Sequence, residues 1–103
     1  MMEKKYEHIT KMENIMVRQE ETVRKLEEIL KETDSCQKDY EKLNEYYYSE
    51  QRFQDIEDEE NHLLPEDLKR GVLSEDEVYN LFLDTREAAL HMMEAAVKIL
   101  RTN

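Results

Sequence analysis

The 103-residue sequence holds one Gly, one Pro, one Cys and no Trp. A single Gly rules out a Gly-rich loop cradling phosphates. Cys36 has no second Cys for an intrachain disulfide or a cysteine metal site, so a reduced thiol on a helix surface is expected. No apolar run approaches the roughly 18 residues of a membrane span. The opening MMEKKYEHITK lacks the apolar core of a secretory signal. These absences predict a cytoplasmic protein with no membrane partner. Leu, Ile, Val and Phe number 23 in all, just above the roughly 20% below which chains tend to stay disordered. One thin-cored domain over residues 1–103 is expected, with a homodimer supplying further burial.

Charge is what the chain has in excess. The net charge is −11, and residues 50–67 alone carry −7, against −3 for residues 1–49 and −1 for residues 68–103. Phosphates repel such a chain, so direct nucleic-acid binding is excluded as a bulk electrostatic effect. A partner with a basic surface is not.

Between Tyr6 and Tyr47 there is neither Gly nor Pro. Ile9, Met12, Met16, Val23, Leu26 and Leu30 recur at a three-four spacing, interrupted by Gln19 and fading through Thr33, Gln37 and Tyr40. This is helical and close to a heptad. Acid-first pairs at four-residue spacing, Glu7–Lys11, Glu20–Arg24, Glu21–Lys25 and Glu27–Lys31, support the same helix. A long helix over residues 5–47 follows, with a break near Thr33–Ser35 as the alternative. Ser49 then suits the N-cap of a short helix over residues 50–61, carrying Asp55, Glu57, Asp58, Glu59 and Glu60.

The stretch LPEDLKRGVLSED spends both rare residues together. Pro65 fits the first position of a helical turn over residues 65–70, and Gly71 its left-handed terminator. Ser74 and Glu77 have capping-box spacing, and Leu73 with Val78 occupies the staple positions beside it. A final helix over residues 75–101 follows, its stripe running Val78, Phe82, Thr85, Ala89, Met92, Ala96 and Ile99. The fold class is therefore all-α. A long N-terminal helix packs antiparallel on a return arm made of the acidic helix, the Pro–Gly corner and the C-terminal helix.

Few residues offer chemistry. Glu59 and His62, with Glu87 and His91, have spacings seen in metal-binding bundles, though a quarter of the residues are acidic and chance supplies such pairs. His8 sits among charges and should face solvent. Carboxylates on a solvated helix face make poor acid–base groups, and no nucleophile has a base nearby in sequence. No catalytic residue and no cofactor is expected. Tyr46, Tyr47 and Tyr48 either pack where helices meet or offer a partner surface, since Tyr is enriched at binding hot spots. The acidic run is likewise a solvated face or a docking face, with Lys69 and Arg70 beside it.

The segment YYYSEQRFQDIEDEENHLLPEDLKRGVLSEDEVYNLF resembles a family of small, mainly Gram-positive bacterial proteins known as domain of unknown function 4298. That family's pattern opens Tyr-Tyr-Gly-Ser, passes through an acidic segment and continues Leu-Pro-x-Asp-Leu-Lys-Arg-Gly-Val-Leu-Ser-Glu-Asp. KMENI near the start resembles its opening. Here Tyr48 and His62 stand where the family has Gly, and Arg52 where an aromatic is common. A Gly at position 62 would suit a left-handed helix cap, a conformation His tolerates better than most residues. The resemblance implies the fold and brings no activity with it.

The expected function is a non-enzymatic interaction or regulatory module, acting through its helical surface and the acidic segment. The alternatives are an acidic nucleic-acid mimic like those of some phage-derived inhibitors, and a metal-binding bundle.

Overall fold

The computed structural model describes residues 2–102. Among them the elements are α1 (Met2–Lys5), α2 (Glu7–Tyr47), α3 (Glu50–Glu60), a 3-10 turn (Gly71–Leu73) and α4 (Glu75–Thr102), with no strand. The chain is all-helical in the expected order. It divides into two compact units, Met1–Lys42 and Leu43–Asn103.

The first unit is essentially one helix. α2 passes through Thr33–Ser35 without a break. The Thr33 hydroxyl donates to the Ile29 carbonyl at 2.7 Å, and the Ser35 hydroxyl to the Glu32 carbonyl at 2.8 Å. Both side chains therefore bond back along the helix instead of competing with it. Of the acid-first pairs, Glu7–Lys11 closes to 3.8 Å, and Lys42 pairs with Asp39 at 3.7 Å. α2 buries none of its residues. Its apolar stripe stays open, with Ile9 at 54% exposure and Val23 at 46%.

The second unit is built around two short connections. Ser49 caps α3 as its sequence position predicts: its hydroxyl oxygen accepts from the Arg52 amide at 3.2 Å and its hydrogen goes to the Tyr46 carbonyl at 2.7 Å. At the other end, the His62 amide donates to the Glu59 carbonyl at 3.0 Å and the Leu63 amide to the Asp58 carbonyl at 2.9 Å. These crossed bonds form a Schellman termination with His62 in the left-handed region, φ 59°. Relieving that backbone strain should help. His62→Gly is expected to raise stability by about 0.5–1 kcal/mol in urea melts, because the left-handed penalty outweighs the added chain entropy.

The Pro–Gly stretch departs from expectation in two places. Residues 65–70 form no helix, because so short a segment gains too few bonds to offset nucleation. Instead, the Leu68 amide closes one turn on the Pro65 carbonyl at 3.2 Å, and Arg70 Nη2 takes the same carbonyl at 2.9 Å. Gly71 has no positive φ and opens the 3-10 turn, so it is not a left-handed terminator. A Cβ at Gly71 would lie 2.7 Å from Glu77 Oε2, the far end of a flexible exposed side chain. Half of the expected capping box forms: the Glu77 amide donates to Ser74 Oγ at 3.3 Å, while the Ser74 amide turns to the Gly71 carbonyl at 3.1 Å. The two substitutions should therefore separate. Ser74→Ala is expected to cost about 1 kcal/mol. Gly71→Ala should shift thermal melts by no more than about 0.5 kcal/mol, since the exposed Glu77 carboxylate can swing aside.

Candidate interaction surface

The three tyrosines at the end of α2 take different roles. Tyr47 is half-buried, with the Arg52 guanidinium 4.4 Å above its ring. The Phe82 ring meets it edge-on at 5.3 Å and the Tyr48 ring at 4.9 Å. Arg52 is 7% exposed and its Nε donates to the Val72 carbonyl at 3.0 Å, so one side chain ties α3 to the 3-10 turn. Its Nη2 is buried without a partner. At position 52 the chain places a flat cation that stacks on a ring and also makes a hydrogen bond.

Tyr46 turns its hydroxyl onto α3 and donates to Asp55 Oδ2 at 2.5 Å. Gln51 Nε2 donates to the other carboxylate oxygen at 2.8 Å. Burial of the Tyr46 phenol, then the hydrogen bond to Asp55 and its charge, push the phenol up to about 12, with Arg52 pulling the other way. The Tyr46 hydrogen bond, then that from Gln51, hold the Asp55 carboxyl below its usual range. Asp55 is thus engaged locally and stays ionised. Tyr48 is 71% exposed, with Phe53 at 70%. Tyr46 and Tyr47 are corner residues, and Tyr48 is the one presented outward.

The remaining acids also divide. Asp58 accepts from Gln54 Nε2 at 3.0 Å, and Glu59 faces Arg70 Nη1 at 3.8 Å. Glu57 and Glu60 are fully on the surface. Arg70 is therefore pinned to the Pro65 carbonyl and to α3. Lys69 borders a groove of about 390 Å³ with Leu43, Val72, Val78 and Leu81. Sequence reasoning missed Arg52 as the centre of this unit. Its partner Val72 lies twenty residues away, and no local pattern announces the contact.

The metal candidates do not assemble. Glu59 is taken by Arg70, and His62 serves the helix termination. His91 Nε2 lies 3.5 Å from Glu87 Oε1 on α4. Among the described residues no group of three or more metal-binding side chains converges. Nor is any described helix long and apolar enough to cross a membrane.

With this geometry in view, the family comparison has a definite meaning. The model of the family described as Domain of unknown function (DUF4298) matches residues 9–95. The chain belongs to that family. The match takes in the α2 stripe, the Tyr–Arg corner, the Pro–Gly segment and most of α4. No curated protein and no solved structure matches the chain. In this member of DUF4298 the Pro–Gly segment reaches α3 through Arg70 and Glu59.

Proposed function

We propose that this protein is a non-enzymatic interaction or regulatory module whose α3 face docks a protein partner bearing a basic surface. The supporting observation is the outward set on one short helix: Glu57 and Glu60 lie on the surface and Phe53 is 70% exposed. Tyr48, 71% exposed, stands just before the same helix. Charge steers a basic partner, and the exposed rings give it apolar contact once there. Arg52 and the Ser49 cap hold α3 in place, so the face is rigid before binding.

Exchanging Glu57 and Glu60 together for Ser should leave the helix content unchanged, since neither is engaged by Gln54 or Arg70. It should also reduce capture of a basic partner from nuclease-treated host lysate by about tenfold or more at low salt. Unchanged capture would count against the docking role. If the capture instead competes with DNA and collapses steeply with salt, the face is working as an acidic mimic of nucleic acid.

A further inference from the structure

We propose that α2 pairs with α2 of a second copy as a parallel, in-register, two-stranded coiled coil. This is independent of the docking role of α3. In the seven-residue repeat, Ile9, Met16, Val23 and Leu30 occupy the first core position and Met12, Gln19, Leu26 and Thr33 the second. Ile9 and Val23 are the β-branched first positions, and Val23 is followed by Leu26 at the second, the local combination that favours two parallel strands. No described residue of the first unit covers this seam, since α2 buries none of its residues. Ile9, Met12, Met16, Val23 and Leu26, with Ile15 beside them, are each 43–60% exposed. Such a row leaves on the order of 600 Å² of apolar surface on one helix, and two copies face to face remove at most on the order of 1,200 Å², the lower bound of a specific stable interface.

Charge selects the orientation. One flank of the seam is acidic throughout: Glu13, Glu20, Glu27, Asp34 and Glu41. The other flank is His8, Ile15, Thr22, Ile29 and Cys36, with no acid among them. An antiparallel pair sets the acidic flank against itself, five carboxylates facing five. A parallel pair sets each acid beside a residue of the uncharged flank, Glu20 beside Ile15 and Glu27 beside Thr22 of the partner subunit. Gln19 selects the occupant and the register. Opposite an apolar helix its amide would be left unpaired, whereas an identical helix in register places an amide opposite it.

Sedimentation equilibrium of the full chain should give the mass of two chains, and Val23→Asp should return one. In a Cys36→Ser background, Gln19→Cys should oxidise to a disulfide-linked dimer about tenfold more readily than Glu21→Cys, because only the seam position brings two Cβ atoms within bridging distance. A mass of one chain, or of three or more, overturns the proposal. So does a two-chain species in which Gln19→Cys cross-links no better than Glu21→Cys.

Discussion

Arg52→Ala should lower the stability of the second unit by about 3 kcal/mol, a large share of what so small a core supplies. Three effects act together. The Val72 carbonyl loses the donor 3.0 Å away. The Tyr47 ring loses the cation 4.4 Å above its face. A side chain only 7% exposed leaves a hole behind. One effect opposes them: the orphaned Nη2 no longer has to stay dry. Arg52→Lys separates packing from geometry, since an ammonium keeps the charge but cannot reproduce the planar fork. It should recover less than half of the loss. Urea melts followed by tyrosine near-ultraviolet circular dichroism, which reports the rings around position 52, would measure both. A loss under about 1 kcal/mol for Arg52→Ala would show that α3 is held by its caps alone.

What was legible in the sequence was local. The Ser49 and Ser74 caps and the order of the helices follow from residues within a few positions of each other, while the left-handed conformation at position 62 was implied by the family resemblance. Gly71 was misread because residues 65–70 form no helix for it to terminate. Arg70 was legible only as a cation beside the acidic run, whereas its guanidinium reaches both the Pro65 carbonyl and Glu59, eleven residues earlier. Arg52 is the clearest case, since its partner Val72 lies twenty residues away and no pattern in the sequence joins them. The candidate surface was legible as composition only. Which acids face outward depends on the glutamines and the arginine that engage the others.

Val78→Asp should be the most damaging single change, costing about 4 kcal/mol or more. Val78 is the buried apolar side chain of the second unit, at 5% exposure. It sits in the first turns of α4, where Glu75, Asp76 and Glu77 already supply the negative charge that a helix start favours. A fourth carboxylate there gains little from the helix dipole, is repelled by its neighbours and has to leave water. Val78→Ala isolates the packing contribution and should cost about 2 kcal/mol. Val78→Thr keeps the shape but exchanges one methyl for a hydroxyl, so it should fall between wild type and Val78→Asp. The expected order in urea melts is therefore wild type above Thr and Ala, with Asp far below. Near-ultraviolet signal from Tyr46–Tyr48 should vanish for Val78→Asp while much of the far-ultraviolet helix signal survives, because α2 up to Lys42 belongs to the other unit. If Val78→Asp melts within about 0.5 kcal/mol of wild type, the second unit has no apolar core, and its caps and the Arg52 bridge alone hold it.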